Sequence, residues 1–135
     1  MSDSVKQIPA LPFPPITREQ LKEYAEVSGD YNPIHLDDEA AKRSGLPGVI
    51  VHGMLVAGLL AERGERWARE QRAQGKALNL KKLNLRFKAM TFPGDVISIG
   101  GVLKNLSPSE VALDLEARNQ RGEITTTAVI RYQTS

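Results

Sequence analysis

The segment that most limits the possible folds, residues 49–71, changes character halfway along its length. Its first half is apolar almost all round, and its second half carries closely spaced acids and bases up to Gln71. A helix of about 18 residues spans roughly 27 Å. Such a helix must be enclosed at one end and reach solvent at the other. We therefore predict a long central helix over about 53–71, with the rest of the chain packed around it.

The downstream half of the chain shows the period-two alternation that is typical of half-buried strands. Four segments share it: residues 82–88, 97–103, 111–118 and 124–132. Turn-forming residues separate them at 92–95, 106–109 and 119–122. Short links favour antiparallel hairpins, so we predict an α+β fold in which a meander wraps the central helix. An edge left open on such a sheet often pairs with a second copy.

The N-terminal third is predicted to contain an extended arm and two short helices. Four of the eight prolines fall in residues 1–15, which favours an extended arm. Thr17–Gln20 reads as a capping box that opens a helix ending at Gly29. Asp37 is placed to cap the second helix. Since no linker is visible, residues 1–135 are interpreted as a single domain.

Composition excludes several classes of function. Without any cysteine, the chain has no disulfide, thiolate metal site or Cys nucleophile. The net charge of +2 is spread over dispersed residues and aromatics are few, so no nucleic-acid surface is indicated. Residues 1–10 lack the pattern of a signal peptide, and the apolar stretch 49–61 is too short to span a bilayer. We expect a cytoplasmic protein that uses no membrane.

The two histidines of the chain, His35 and His52, mark the segments most suited to chemistry. Asp30 and His35 are five positions apart and would not share a helix face. Pro33 disfavours helix at Asn32, so a tight turn could bring the carboxylate and the imidazole together. A carboxylate and a neutral imidazole about one water apart could hold that water and deprotonate it.

Two other interpretations of this turn remain open. An Asp-x-Asn-Pro sequence is also ordinary turn chemistry, in which the Asp accepts backbone N–H bonds. Asp30 and His35, together with His52, could alternatively bind a metal ion, but no HxH or HExxH spacing is present. We predict that no metal takes part.

Gly53 lies at the predicted start of the central helix, directly after His52. Free N–H groups at a helix N-terminus favour negative charge, and a glycine lets a ligand approach the backbone closely. An enolate-like oxygen could be stabilised there. In the alternative interpretation Gly53 only starts the helix. For His52 we favour a role as buried scaffolding, which the sequence does not define further.

Three segments together resemble the signature of the MaoC-like, or R-specific hydratase, family. Residues 24–35 (YAEVSGDYNPIH), followed by Ala41, resemble its first motif. Residues 51–55 (VHGML) resemble the second, and residues 87–95 (FKAMTFPGD) resemble the third. In the third motif, Met90 and Thr91 replace the Pro and small apolar residue that are usual in the family. That difference affects a pocket wall and not the reacting groups.

The resemblance, which runs from about Ile16 to Tyr132, implies a fold, a reaction and an assembly. The fold is the hot-dog fold, an antiparallel sheet wrapped around a long helix, and dimers form by joining sheets. The reaction interconverts trans-2-enoyl and (3R)-hydroxyacyl thioesters of coenzyme A or acyl carrier protein, without a metal or redox cofactor. A homodimer is expected, and a heterodimer with a related chain is the alternative.

The resemblance also implies roles for individual residues. Asp30 and His35 activate the water and exchange a proton with C2, Asn32 orients them, and the Gly53 amide binds the thioester oxygen. An acyl tunnel needs an apolar lining. The apolar candidates are Met54, Val56, Leu59 and Met90. Phosphates of the carrier need positive charge, for which a solvated strand face is the competing interpretation. The basic candidates are Lys81, Lys82, Arg86 and Lys88.

Two other functions are compatible with the same fold. A thioesterase needs water directed at the carbonyl carbon by an acid near the central helix, and Glu62 is the only acid in the first half of that helix. A non-catalytic subunit would bind acyl chains or support an active partner, but an intact Asp30 and His35 pair argues for the active type. Acyl length, carrier, direction and pathway are not defined by the sequence.

Overall fold

The protein, described here over residues 5–134 by a computed structural model, combines one antiparallel sheet with three α-helices and a 3-10 turn. The elements in chain order are β1 Val5–Pro12, α1 Arg18–Ser28, the turn Pro33–His35, α2 Asp38–Arg43, α3 Gly53–Ala73, β2 Leu78–Phe87, β3 Ser98–Ser107, β4 Glu110–Arg118 and β5 Ile124–Thr134. The predicted α+β class is confirmed, and the predicted central helix corresponds to α3.

Helix α3 packs along one face of the sheet, and a glycine makes the close approach possible. A Cβ at Gly64 would lie 2.7 Å from Cδ1 of Ile130 on β5, closer than side chains normally pack. The residues that form the core around this contact are almost fully buried: Val56, Leu60, Leu113, Leu115, Ile130 and Tyr132. The sheet therefore encloses α3 as predicted, and the last turns of the helix reach solvent.

Strand order corrects the prediction of a simple meander. The order is β1-β3-β4-β5-β2, so β2 pairs with β5 at the edge opposite β1 and makes no hairpin with β3. The segment 88–97 crosses the end of the sheet instead, and Thr91 accepts a hydrogen bond from the Val51 amide at 2.8 Å. Sequence alternation indicates which residues share a face, but not which strands are neighbours.

Strand β2 also differs from the prediction in its burial. Alternation predicts one buried face, yet Leu80, Leu83 and Phe87 are 59%, 38% and 52% exposed. They lie on an edge strand, beyond the central strands that α3 covers. The result is an uncovered apolar strip beside α3.

Strand β1 accounts for most of the predicted N-terminal arm, while residues 1–4 lie outside the described part of the chain. It pairs with β3, with a bulge between Ile8 and Leu11. The buried Arg63 of α3 donates a hydrogen bond to the carbonyl of Pro9 at 2.9 Å, and burial lowers the pKa of Arg63. The arm is thereby held on the central helix.

Helices α1 and α2 position the segment that carries the candidate site. The capping box at Thr17 and Gln20 is present, Gly29 ends α1 in a left-handed conformation, and Asp37 caps α2. These three predictions are confirmed. Within residues 5–134, no helix has the length and apolar character needed to cross a membrane.

Candidate active site

The turn between α1 and α2 brings Asp30 and His35 together. Oδ1 of Asp30 accepts a hydrogen bond from the Asn32 amide at 3.2 Å, and this contact leaves Oδ2 facing the imidazole. The Asn32 side chain accepts from the Ile34 amide at 3.2 Å and thereby caps the 3-10 turn that ends at His35. Asn32 thus acts on both residues through the backbone of the turn.

A hydrogen bond to the backbone fixes the tautomer of His35. Its Nδ1 lies 2.8 Å from the carbonyl oxygen of Ile50. Because a carbonyl oxygen can only accept, Nδ1 must carry the proton in the neutral ring, and Nε2 presents a lone pair. That nitrogen lies 3.9 Å from Oδ2 of Asp30. The gap is too long for a strong direct bond and short enough for one water to contact both acceptors.

The two members of this pair differ in exposure. The His35 side chain is 9% exposed, whereas that of Asp30 is 48% exposed. The imidazole is therefore held by its surroundings, and the carboxylate borders solvent. A base of fixed orientation beside an open carboxylate suits general acid-base chemistry on a molecule that approaches from the Asp30 side.

Behind the pair, His52 is almost completely buried, at 1% exposure. Its ring stacks on His35 with centroids 3.9 Å apart and planes inclined by 23°. Its Nε2 lies 3.1 Å from the backbone carbonyl oxygen of Asp30. The structure thus brings His52, which the sequence indicated only as scaffolding, into contact with both members of the pair.

The three residues could also be considered as a metal site, since Asp30, His35 and His52 each offer a ligand atom within 4.8 Å of the others. Imidazole nitrogens bind a metal ion along lone pairs that lie in the ring plane, at about 2.0–2.1 Å for zinc. The two rings are nearly parallel and stacked, so their planes meet well beyond the nitrogens. One ion cannot bind both rings in this arrangement, and a metal-free site stays our prediction.

The N-terminus of α3 lies next to this cluster. His52 is the N-cap of the helix and makes no side-chain capping bond, so Gly53 begins the helix directly beside the stacked imidazoles. A Cβ at Gly53 would lie 3.1 Å from Cε1 of Phe87, which shows that the Phe87 ring covers this end of the helix. The Gly53 amide is therefore situated where an oxyanion could be bound between the pair and an apolar ring.

The segment that supports His35 is itself anchored by Asp38. Its carboxylate accepts a hydrogen bond from the Val49 amide at 3.0 Å and pairs with Arg18 at 3.0 Å. The hydrogen bond from Val49, followed by that from Arg18, lowers the pKa of Asp38. Since the Ile50 carbonyl follows Val49, this contact helps hold the acceptor of the His35 proton. Asp38 was not predicted as part of the site, because its contact with Val49 spans 11 positions.

The predicted tunnel residues occupy different environments. Val56 is buried in the core at 2%, and Leu59 is partly buried against it. Met54 and Met90 are 57% and 45% exposed. Met54 lies in the first turn of α3, and Met90 precedes Thr91, whose carbonyl accepts from the Val51 amide just before that helix. A cavity of about 300 Å³ lies instead between α3 and β2. Its lining is Gly58, Ala61, Glu62, Glu65, Leu80, Leu83, Ile130 and Tyr132. We call this cavity the α3–β2 groove. Most of its lining was not predicted, because alternation alone does not place β2 beside α3.

The basic candidates also separate. Lys81 pairs with Glu110 at 3.1 Å, toward the end of β2 that is distant from Phe87. Arg86 precedes Phe87 and therefore points to the opposite face of the sheet. Lys88 is exposed just beyond the strand, and its amide donates to Thr125. Lys82 follows Lys81 on β2, where it is exposed and pairs in register with Arg131. Of the four candidates, only Arg86 and Lys88 lie at the same end of the sheet as His35.

Comparison with known proteins shows similarity both to a family and to solved structures. Residues 4–121 match the MaoC like domain family. The (R)-hydratase from A. caviae involved in PHA biosynthesis has a similar fold, with a TM-score of 0.77 and 23% identity over 99% of this chain and 100% of that chain. The ChsH1-ChsH2 complex from Mycobacterium tuberculosis gives a TM-score of 0.81 at 18% identity, with full coverage of both chains.

In sequence, the mitochondrial 3-hydroxyacyl-[acyl-carrier-protein] dehydratase of Arabidopsis thaliana is 51% identical over 41 residues, which is 30% of this chain and 25% of that protein. The chain spans a quarter or less of the length of the first curated relatives that it matches. The match over residues 4–121 and the shared fold define a hot-dog domain of the hydratase and dehydratase class. The chain belongs to the MaoC-like dehydratase family, whose members act on acyl thioesters.

Proposed function

We propose that this chain, as a single domain, catalyses the reversible addition of water to trans-2-enoyl thioesters, giving (3R)-hydroxyacyl thioesters. The observation that carries the proposal is the tautomer of His35. The Ile50 carbonyl accepts a hydrogen bond from Nδ1–H, so Nε2 is left as a base 3.9 Å from the Asp30 carboxylate. Two acceptors that converge on one water are what the hydration step requires.

In the proposed step, Asp30 and Nε2 of His35 hold the water between them. As the water oxygen bonds to C3, one of its protons passes to the pair and the C2=C3 electrons move toward the thioester carbonyl. The Gly53 amide stabilises the negative charge on that oxygen. The pair then returns a proton to C2, and Asn32 keeps the turn in position. The reverse sequence eliminates water, and no redox cofactor is needed.

The acyl chain is proposed to run from Gly53 along the α3–β2 groove. The groove has a largely apolar lining that includes Gly58 and Leu83, and the Phe87 ring lies beside Gly53, five positions before Gly58 on the same helix. Met54 and Met90 do not line the groove, but both are exposed and are retained as proposed contacts for the substrate. We propose Val56 and Leu59 as support from the core side rather than as direct contacts.

The carrier is proposed to be coenzyme A or an acyl carrier protein, with its phosphate groups outside the site. Arg86 and Lys88 are the candidates to bind those groups because they lie at the same end of the sheet as His35. Lys81 is a weaker candidate, since Glu110 already neutralises it and it is distant from Phe87.

A second copy, or a related chain, is proposed to cover the apolar strip on β2. Three large apolar side chains of β2, those of Leu80, Leu83 and Phe87, are exposed side by side. A contiguous apolar patch of this kind is typical of an interaction surface. Edge pairing of β2 would satisfy its open backbone groups at the same time. The ChsH1-ChsH2 complex supports an assembly of two such domains. We favour a homodimer, and a heterodimer remains the alternative.

Thioester hydrolysis is the competing activity, and the position of Glu62 disfavours it. Glu62 lies nine positions after Gly53, which places it about 13 Å further along the helix. It is also paired with Arg69 at 2.8 Å. An acid at that distance could not direct water to a carbonyl held by the Gly53 amide.

The test uses purified protein and crotonyl-CoA, with enoyl absorbance and free thiol measured in the same reaction. We expect absorbance to fall while no thiol appears, and the 3-hydroxybutyryl product to have the R configuration. His35→Ala should abolish the change without loss of fold. Thiol release at constant enoyl absorbance would refute the hydratase proposal. Absence of turnover with enoyl thioesters of every tested length would favour the non-catalytic alternative.

A further inference from the structure

His52 contacts both members of the pair without reaching solvent. Its ring lies between Tyr24, at a centroid distance of 4.7 Å, and His35, at 3.9 Å. Its Nε2 is 3.1 Å from the backbone carbonyl oxygen of Asp30. At 1% exposure the His52 ring is shielded from bulk water, and the mechanism above does not use it.

The hydrogen bonding of His52 defines the tautomer of its neutral ring. The Asp30 carbonyl only accepts, so Nε2 must carry the proton. Nδ1 is then a bare acceptor, and it has no partner within residues 5–134. A buried acceptor without a partner is destabilising, and an apolar ring would fill the same space without that cost. Packing alone therefore does not explain an imidazole here, whereas its one directed bond, to Asp30, does.

We propose that His52 is a positioning residue for the hydration reaction, which sets Asp30 relative to His35. This inference rests on the proposed function. Nε2–H of His52 donates a hydrogen bond to the backbone carbonyl of Asp30. The Asp30 amide donates to the Ser28 hydroxyl at 3.1 Å, and Oδ1 of Asp30 accepts from the Asn32 amide. The same imidazole supports the face of His35. One ring thus fixes the separation of the two groups that must contact a single water.

Two variants separate the hydrogen bond from the packing. His52→Phe keeps a ring but has no donor, whereas His52→Gln places an amide N–H close to the position of Nε2. We expect His52→Phe to lower kcat about 100-fold with little change in KM, since small displacements of reacting groups have effects of that size. We expect His52→Gln to retain kcat within about tenfold of the wild type.

The control for general destabilisation is Leu113→Ala, a core truncation in β4 on a residue with 0% exposure. It should lower the melting temperature without changing the kcat of the folded fraction. If His52→Phe keeps the wild-type kcat, or if both His52 variants lose activity equally, the positioning role is refuted.

A second measurement does not depend on activity. Because the chain has only two histidines, the imidazole nitrogen spectrum of His52→Phe contains His35 alone and assigns both rings. We expect the wild-type protein to show His52 with its proton on Nε2 and His35 with its proton on Nδ1. A His52 proton on Nδ1 would overturn the inference even in an active enzyme. An inactive wild-type protein with the expected tautomers would refute only the proposed reaction.

Discussion

Substitution of Asp30 by Asn is the most demanding test of the pair, because the turn dictates how the new side chain must lie. Oδ1 of Asp30 accepts the Asn32 amide at 3.2 Å. An asparagine can keep that bond only by placing its oxygen there, which directs its NH2 group toward Nε2 of His35. The amide then donates where the carboxylate accepted. The carboxylate acceptor for the water is lost and only Nε2 of His35 remains as an acceptor, although the shape of the side chain is unchanged.

The expected size of the effect follows from the role of the lost group. General acid-base catalysis contributes about 10²- to 10⁴-fold, so kcat should fall by that factor, which corresponds to about 3–5 kcal/mol of activation free energy. The Asp30 side chain is 48% exposed and the turn keeps its hydrogen bond. Stability should therefore change by less than about 0.5 kcal/mol.

The assay is the loss of enoyl absorbance with crotonyl-CoA, combined with thermal melting. Asp37→Asn is the matched control, since Asp37 is exposed, also accepts a backbone N–H two residues ahead, and lies outside the pair. We expect Asp37→Asn to keep wild-type kcat and Asp30→Asn to lose it at an unchanged melting temperature. Retention of more than a tenth of kcat by Asp30→Asn would refute the shared-water mechanism.

Three further predictions concern the fold and the assembly. Gly64→Ala should lower the melting temperature, because overpacking against Ile130 costs about 1–3 kcal/mol and exceeds a helix-propensity gain of about 1 kcal/mol. Gly58→Ala is the control and should not lower the melting temperature, because a Cβ at Gly58 meets open space. A higher melting temperature for Gly64→Ala would contradict this packing. Burial, and then Glu65, raises the pKa of Tyr132 to about 12, so stability should be fully present below about pH 10 and decline as the pH rises toward 12. In denaturant titrations, the free energy of unfolding of Tyr132→Phe should not show that decline. If the free energy of unfolding falls equally with pH above about pH 10 in the wild type and in Tyr132→Phe, Tyr132 is not its cause. Leu83→Asp should convert the proposed dimer to monomers in analytical ultracentrifugation, and an unchanged mass would show that this strip is not the interface.

Local signals allowed much of the N-terminal half to be predicted. The hydrogen bonds that start and stop α1 and α2 join residues two to four positions apart, so their donors and acceptors can be read directly from the sequence. Thr17, Gln20, Gly29 and Asp37 are such cases. The central helix was predictable for a related reason, since its apolar and charged halves report its surroundings directly.

The position of β2 and the contacts around His35 could not be predicted in the same way. Alternation in β2 defines two faces, but pairing with β5 depends on register between residues such as Phe87 and Thr126, which are far apart in the chain. His35 contacts Ile50 and His52, which follow it by 15 and 17 positions. No local pattern encodes contacts of that range, so the stacked imidazoles became visible only in the folded chain.

The register of the sheet has a consequence for how this domain can be combined with others. Val5 pairs with Lys104, and Thr134 pairs with Leu78, so both described ends of the chain lie at the end of the sheet that contains the β3–β4 turn. Phe87 and the start of α3 lie at the other end. A segment joined to either of these ends would therefore be attached at the end of the sheet that is remote from Asp30 and His35. The same unit can therefore be joined to neighbours in a longer protein while the entrance to the candidate active site stays unobstructed.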